Sequence, residues 1–341
     1  MDIYSLIRRI TSVRSPRLRL AMLWAAHVAR RRTIGVFIDP VVACNLRCRM
    51  CAFSDAAQRK RLTGRMDDEA ISRAARALFH RALKVQIGCG AEPTIDPRMP
   101  RIIALAKEYK VPYVSVTTNG QLLSPSLLAD CIAAGLDEVT LSLHGTDRDT
   151  YEWFMPGADF TRLESLVVTL RNAKKDRPAL KVRVNYTVNA DNVESLAGIF
   201  SLFGGDVIDI LQIRPVQNLG DTSYHNFDLG PVRQAYDRVL GAVARKAAAL
   251  GVTCIMPGLQ ELDMVAAPRS CFEKTFEEIT YCYVGPQSCY ADGFDACTDT
   301  YESFHRRRRT SRTLLRSLFS LRPDTDVGNN RTKKLNYTVR K

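Results

Sequence analysis

Strand and helix patterns alternate along most of this chain, and the alternation restricts the folds open to it. Apolar and β-branched runs predict strands at 34–42, 83–87, 112–117, 136–143, 180–188 and 207–213. Helical spacing follows each of them, at 67–79, 100–109, 125–134, 161–174, 192–203 and 231–250. A helix between two strands places the strands parallel, so the pattern predicts βαβ units in an α/β fold. A partial (β/α)6 barrel of the TIM type and a doubly wound open sheet both fit.

Three cysteines in a CxxxCxxC spacing come directly after the first predicted strand. They are Cys44, Cys48 and Cys51. Thiolates are soft ligands that suit iron–sulfur chemistry, and three on one loop can ligate three irons of a [4Fe–4S] cluster, leaving the fourth iron open. A structural zinc site needs four ligands, and the sequence offers no His or fourth Cys close by.

This spacing resembles the signature of the radical S-adenosylmethionine (SAM) enzymes. In that family the open iron binds SAM, and one electron from the cluster splits SAM to a 5′-deoxyadenosyl radical that abstracts hydrogen from the substrate. The resemblance implies a partial (β/α)6 barrel, a [4Fe–4S] cluster, SAM, and an electron donor such as flavodoxin or ferredoxin. Relatives usually have an aromatic residue where this chain has Met50, and Phe53 is expected to supply that apolar surface beside the adenine.

The ends of the second and third predicted strands match positions that bind SAM in the family. Gly90-Ala91-Glu92 resembles the GGE motif that holds the amino group of SAM, with alanine in place of one glycine. Thr118 and Asn119 correspond to a TNG segment that lies close to the cluster and SAM. Asn-Gly is also an ordinary turn signal, so that second match is the less specific one.

Later strand ends supply the remaining candidates. Ser142 matches the family's ribose-contacting serine, and Asn185, on a strand with one polar face, is expected to make a further SAM contact. The residue that moves a proton or hydrogen is unknown from sequence. His144, Tyr186 and Cys89 are candidates by position alone, with a structural histidine and an inert buried thiol as the alternatives.

Four more cysteines follow the last predicted strand, at Cys271, Cys282, Cys289 and Cys297. A turn signal at Asp292-Gly293 predicts a hairpin that brings Cys289 and Cys297 together. Four thiols can close a zinc tetrahedron or hold a second iron–sulfur cluster, and they can also be without metal. Beside the first motif, they resemble the SPASM or twitch extensions that carry auxiliary clusters in some radical SAM enzymes.

Composition points to a globular chain without an export signal. Hydrophobic residues make up 46% and charged residues 25%, and no apolar stretch is long enough to span a bilayer. Ten cysteines in such a chain indicate metal or redox chemistry and a reducing cytoplasm rather than a disulfide framework.

The net charge of +13 is concentrated in the two ends. Residues 1–32 carry +7 and residues 303–341 carry +10, which leaves −4 for residues 33–302. Residues 3–31 read as a basic helix broken near Pro16. Such a helix can lie on a membrane, pack as a lid on the next domain, or belong to a mitochondrial transit peptide.

These patterns predict four regions: a basic helical segment at 1–33, a radical SAM barrel at 34–255, a cysteine-rich auxiliary-cluster region at 256–305 and a basic tail at 306–341. The expected function is a cytoplasmic oxidoreductase that acts on a peptide or on an alcohol-bearing small molecule. Alternatives are a peripheral membrane enzyme of lipid or surface-glycan maturation, an RNA-modifying enzyme, and a zinc- or cluster-stabilised binding protein.

Arg214, at the end of the sixth strand, can meet an anionic group.

Overall fold

A computed structural model describes residues 13, 15–217, 222–262 and 271–319, with the backbone alone at residues 16 and 271–274. Its strands are β1 (Ile34–Ile38), β2 (Ala82–Ile87), β3 (Tyr113–Thr118), β4 (Glu138–Leu143), β5 (Lys181–Val188), β6 (Ile210–Pro215), β7 (Thr253–Ile255), β8 (Tyr281–Gly285) and β9 (Ser288–Tyr290). They form one open sheet in the order β7-β6-β5-β4-β3-β2-β1-β8-β9. Every neighbouring pair is parallel except β8 and β9. The predicted α/β class and partial barrel are confirmed.

The α-helices are α1 (Pro16–Val28), α2 (Ala56–Arg61), α3 (Asp68–Leu78), α4 (Met99–Glu108), α5 (Pro125–Ala133), α6 (Arg148–Phe154), α7 (Phe160–Asp176), α8 (Ile199–Phe203), α9 (Gly230–Gln234), α10 (Ala242–Ala249), α11 (Cys271–Thr280), α12 (Tyr301–Arg307) and α13 (Thr310–Phe319). Short 3-10 turns lie at Ala52–Ser54, Phe79–Arg81, Pro93–Ile95, Ser195–Gly198 and Leu259–Leu262, and a π-helical turn at Tyr236–Gly241. Side-chain caps fix several starts. Asp67, for example, accepts a 2.6 Å hydrogen bond from the amide of Ala70 at the start of α3.

The two faces of the sheet differ in polarity, and this difference positions the site. Along β5 the apolar side chains of Val182 and Val184 are buried, while Arg183 and Asn185 between them are half-buried. Successive side chains of a strand point to opposite faces, so one face packs on the helices and the other carries polar groups. The polar face lines the concave side of the partial barrel.

The structure differs from the predicted elements mainly beyond residue 191. The predicted helix at 192–203 is a 3-10 turn followed by α8, and the one at 231–250 is α9, the π-helical turn and α10. Strands β7, β8 and β9 were not predicted. Strand β8 pairs in parallel with β1, so one sheet continues across the predicted domain boundary between residues 255 and 256.

The chain ends meet in a helical seam. Helix α1 packs against α11 and α13, and the four buried residues of this seam are Leu20, Leu23, Ile279 and Leu314. Of the three alternatives for the N-terminal helix, packing on the rest of the protein is what residues 16–28 show, whereas residues 1–12 and 14 lie outside the described ranges. The predicted tail is also partly helical, since residues 310–319 form α13.

Replacing Leu20 by Ala tests the seam. Leu20 is 1% exposed, so Leu20→Ala leaves a cavity and is expected to lower the free energy of unfolding by about 2–5 kcal/mol. Leu18→Ala is the matched control on the same helix, because Leu18 is 52% exposed. Urea unfolding checks both. Equal effects of the two substitutions would contradict the packing described for α1.

Candidate functional site

The cysteine loop follows β1 and is held against the segment around α6. The amide of Arg47 donates to the carbonyl of Pro156 at 3.0 Å, and that of Arg49 donates to Phe154 at 2.9 Å. The Arg49 guanidinium lies 4.3 Å from the centre of the Trp153 ring, and its Nε donates to the Trp153 carbonyl. These bonds fix a short irregular loop whose own residues supply few regular backbone partners.

The thiols of Cys44, Cys48 and Cys51 are enclosed and lie close enough to influence each other. Burial raises the pKa of Cys44 to about 11, and it raises the pKa of Cys48 and of Cys51 as well. The neighbouring cysteines raise the pKa of Cys48 further, because thiolates at these positions would repel one another. Three thiolates without a metal are therefore unfavourable in this site. Bound iron would supply the positive charge that stabilises them.

Within the described ranges, no three His, Cys, Asp or Glu side chains are grouped to hold one metal ion. A structural zinc site needs four ligands, and this loop supplies three thiols. Three thiolates are a donor set that suits a [4Fe–4S] cluster, in which each binds a different iron. Cys44, Cys48 and Cys51 would hold such a cluster.

Glu92 is a buried hub that joins the second and third strand ends. Its carboxylate is 2% exposed and accepts hydrogen bonds from Thr94, from the Thr118 hydroxyl at 2.6 Å and from the amide of Asn119 at 2.8 Å. Its own amide donates to the carbonyl of Ala43 beside the cysteine loop. Burial raises the pKa of Glu92, and the hydrogen bonds oppose that rise. Donors from within the protein thus already surround this carboxylate.

Asn119 connects this hub to the cluster loop. Its side-chain nitrogen donates to Asn45 at 2.9 Å and lies 3.8 Å from the sulfur of Cys44, and its side-chain oxygen accepts from the amide of Gln121. The structure therefore brings Gly90–Glu92, Thr118 and Asn119 together beside the first cysteine. That grouping is what the sequence motifs predict.

Asp39 is a residue of this site that sequence reasoning missed. It follows β1, is 2% exposed, and accepts from the amides of Cys89 at 2.7 Å and Gly90 at 3.1 Å. The Tyr283 hydroxyl donates to it at 3.0 Å. Asp39 thus supports the glycine turn from behind and ties β1, β2 and β8 together. An acidic residue at the end of an apolar strand, just before Pro40, was the available signal.

Asp39→Asn tests this support. The amide of asparagine presents an NH₂ group to at least one buried donor, so one backbone N–H loses its acceptor, a cost of about 1–3 kcal/mol. SAM affinity of the cluster-loaded protein is expected to fall about tenfold or more, with iron content unchanged. Equilibrium dialysis and iron analysis measure the two quantities. Tyr283→Phe, which keeps both backbone bonds, is the control with the smaller expected loss, and an unchanged affinity in Asp39→Asn would contradict the role.

Polar side chains from three adjacent strands face the concave side near these motifs. Ser142 is paired with Asn185, and Asn185 with Gln212, in the sheet register. The side-chain oxygens of Asn185 and Thr117 are buried and have no hydrogen-bond partner among the described residues. Buried polar atoms without partners are uncommon in folded proteins, so these are fit to receive a ligand's hydrogen bonds.

The three candidates for proton or hydrogen transfer occupy different environments. Tyr186 lies on the outer face of β5, is fully buried and donates to the carbonyl of Asn192, so it is not available to a ligand inside the barrel. Burial lowers the pKa of His144 to about 4, and its Nδ1 has no partner among the described residues. Burial raises the pKa of the Cys89 thiol, and the nearby Asp39 adds to the rise. Of the three, His144 and Cys89 remain candidates.

Phe53, expected beside the adenine, and Met50, which stands where relatives have an aromatic residue, are both buried. Phe53 is 3% exposed in the 3-10 turn after Cys51, and Met50 is 6% exposed. The sulfur of Met50 accepts from the side-chain nitrogen of Asn189 at 3.1 Å. Met50 is therefore part of the packing under the loop, and Phe53 stays a prediction as an adenine contact.

A layer of charge lies below the strand ends, and it was not predicted. Glu138 is fully buried and accepts from Tyr113 and Thr140. The Lys84 ammonium and the Arg183 guanidinium each lie 3.7 Å from its carboxylate. Burial lowers the pKa of Lys84, and Glu138 opposes that change. Two cations thus share one carboxylate in the barrel interior.

Glu138→Gln is expected to destabilise the fold, because it leaves two enclosed cations without a counter-charge. The free energy of unfolding should fall by about 3–5 kcal/mol in urea unfolding. Adding Lys84→Met should recover part of the loss, since that change removes one of the cations while keeping most of the volume. A single variant as stable as the wild type, or a double variant with fully additive losses, would contradict the charge balance.

The C-terminal cysteines of the described ranges lie on the β8–β9 hairpin and the turn after it; burial raises the pKa of the Cys282 thiol, and the nearby Cys289 adds to the rise. Cys282 is fully buried in β8, Cys289 is half-buried in β9, and Cys297 is exposed in a later turn. The hairpin forms between β8 and β9, around residues 286–287, and not at Asp292-Gly293. The side chain of Cys271 lies outside the described residues. An auxiliary cluster there stays a prediction.

Comparison with known protein families covers the cysteine loop and the strand ends beside it. Residues 38–199 match the family model described as the Radical SAM superfamily, and this range contains the cysteine loop, the Glu92 hub and Asn185. The chain contains a radical SAM domain. Members of this family use a [4Fe–4S] cluster and SAM, which agrees with the cofactors predicted from the cysteine spacing.

Curated relatives are more distant. A probable GTP 3′,8-cyclase of Saccharolobus solfataricus is 28% identical over 189 residues, which cover 54% of this chain and 58% of that protein. The GTP 3′,8-cyclase of Chlorobaculum tepidum is 36% identical over 122 residues, 35% of this chain and 36% of that protein. The chain thus spans less than two thirds of the length of the curated relatives it matches.

Solved structures share the fold at low identity. Streptococcus suis SuiB bound to S-adenosylmethionine superposes with a TM-score of 0.58 at 17% identity, covering 84% of this chain and 68% of that one. SuiB bound to its precursor peptide SuiA gives 0.56, also at 17%, covering 79% and 62%. Native anSMEcpe with bound SAM gives 0.52 at 17% identity, covering 65% and 63%. None of the helices in the described ranges has the length and hydropathy to cross a membrane.

Proposed function

We propose that this protein is a radical SAM enzyme that removes hydrogen from a polar substrate held in its partial barrel. The observation that carries the proposal is the contact of the cysteine loop with the SAM-motif residues, in which Asn119 bridges Asn45 and approaches the Cys44 sulfur. When bound, the cluster supplies the electron that splits SAM and so generates the radical that takes hydrogen from the substrate.

The chain's own residues orient the cofactor and restrict water. Asp39 accepts from the amide of Gly90 and Glu92 accepts from the amide of Asn119, so the 90–92 turn is fixed before a ligand binds. Ser142 and Asn185 offer polar groups on the next two strands for the ribose and the methionine carboxylate. The helix-covered outer face excludes solvent, while the polar inner face keeps a route for a hydrophilic substrate.

A nucleotide is a second substrate candidate, beside a peptide or an alcohol-bearing small molecule. The interior carries Lys84 and Arg183 against a single carboxylate, and Arg214 lies exposed at the end of β6. An excess of cations favours a substrate with an anionic group such as a phosphate. The curated relatives named as GTP 3′,8-cyclases support this candidate, and the SuiB–peptide structure supports the peptide.

Release of 5′-deoxyadenosine tests the proposed function. Protein reconstituted without oxygen and given SAM and dithionite should form 5′-deoxyadenosine, whereas Cys44→Ala, Cys48→Ala and Cys51→Ala should each lose at least about a hundredfold of that rate, because each removes one of the iron ligands. Cys131→Ala is the matched control, since Cys131 is a buried cysteine on α5 away from the loop.

Two further readouts separate failure from a missing substrate. Full iron content without product would call for repeating the assay with GTP and with peptides, and stimulation by either class identifies the substrate. Zinc in place of iron, with no product under any condition, would contradict the enzyme proposal and favour a metal-stabilised binding protein. The cytoplasmic location and the flavodoxin or ferredoxin donor stay part of this proposal.

A further inference from the structure

The two basic ends of the chain, far apart in sequence, lie side by side in the fold. His27, near the end of α1, contacts His305, which hydrogen-bonds Thr310 at the start of α13. Leu20, near the start of α1, shares an apolar cluster with Leu314 and Leu318. The two helices therefore run antiparallel, with Leu18 and Phe319 towards the same end of the pair.

The outer face of this pair is apolar where a solvent-facing helix would be polar. On α1, Leu18, Met22 and Val28 are 52%, 44% and 52% exposed. On α13, Leu315 is 40% and Phe319 is 78% exposed. Spacings of four residues place Leu18 with Met22, and Leu315 with Phe319, on single helix faces. We call Leu18, Met22, Leu315 and Phe319 the apolar face.

Positive charge surrounds the apolar face. Residues 15–32 and 303–319 contain eleven arginines and no Asp or Glu. Arg312 and Arg316 are exposed on α13, four residues apart, and Arg17 is exposed on α1. Glu277 and Glu278 are acidic residues of the adjoining helix α11, and neither lies on a helix of the pair. Arg307, on the preceding helix α12, is bonded to Asp299.

We propose that the α1–α13 pair docks on an anionic phospholipid surface, with the apolar face inserted at the headgroup boundary. Helices with aliphatic and aromatic side chains on one side and arginines beside them bind such surfaces by burying apolar area and by attraction to anionic lipid. Phe319 is the one aromatic side chain of the apolar face, and its Leu and Met side chains do not stack on bases, so the face suits lipid better than RNA. The docking is independent of the proposed radical chemistry.

Co-sedimentation of the full-length protein with vesicles tests the docking. Binding is expected to phosphatidylcholine vesicles that contain phosphatidylglycerol, and to be weak with phosphatidylcholine alone or at high salt. The double variant Leu315→Ser/Phe319→Ser should bind about tenfold more weakly, because it removes buried apolar area. The double variant Arg312→Gln/Arg316→Gln should lose about thirtyfold, since each arginine near an anionic membrane contributes about a factor of five.

Matched controls keep the result specific. Val168→Ser removes a similarly exposed apolar side chain (53%) from α7, and Lys175→Gln removes an exposed charge from the same helix. Both should bind vesicles as the wild type does. Circular dichroism melts of all variants verify that the fold is intact, which is expected because the substituted side chains are exposed.

Three results would overturn the proposal. The first is wild-type protein that does not sediment with the anionic vesicles. The second is that both double variants bind as the wild type does, which would assign the binding to another part of the chain. The third is that the same substitutions abolish binding of bulk tRNA, or convert a dimer to a monomer in light scattering, while vesicle binding is unchanged.

Discussion

A buried carboxylate at the end of the first strand holds the functional end of the barrel together. Asp39 accepts two backbone amides from the glycine turn after β2 and the hydroxyl of Tyr283 from β8. A carboxylate that is almost fully enclosed is costly unless donors surround it. Three donors from two neighbouring strands meet that need, and in doing so they fix how these strand ends lie around the cysteine loop.

Glu92, which follows β2, is a second buried carboxylate surrounded by donors. Its donors are Thr94 and the end of β3, and its own backbone amide donates to the loop that leads to Cys44. Two buried carboxylates therefore replace the flexible arrangement that glycine-rich turns would otherwise have. This is preorganisation: the geometry that a ligand needs exists before the ligand arrives, so less binding energy is lost in ordering the site.

Much of the fold followed from local patterns, because each βαβ unit carries its own periodicity. The six predicted strands all exist, with ends shifted by a few residues, and the cysteine spacing pointed to the family that residues 38–199 match. Local patterns do not predict which distant strands pair. Strand β8 is short and comes after α11, and its amino-acid sequence does not indicate that it pairs with β1.

The site residues divide along the same line. Glu92 and Asn119 lie in motifs with fixed spacing, so their positions could be predicted. Asp39, Lys84 and Glu138 have roles only through partners on other strands, and a single charged letter in a strand does not reveal its partner. Tyr186 was a candidate by position alone, and the alternation of β5 places it with the buried residues of the outer face.

The seam between α1 and α13 has a consequence for the order in which this protein folds. Leu20 packs with Leu314, a separation of about 290 residues along the chain. During synthesis α1 emerges long before its partners, of which α11 comes next and α13 last. The edge of β1 stays unpaired until β8 has also been synthesised. The barrel and its cysteine loop can therefore form while that edge is still open. Closure of the seam is thus a late event that depends on loop-closure entropy, and iron–sulfur assembly has the interval before it in which to reach the loop.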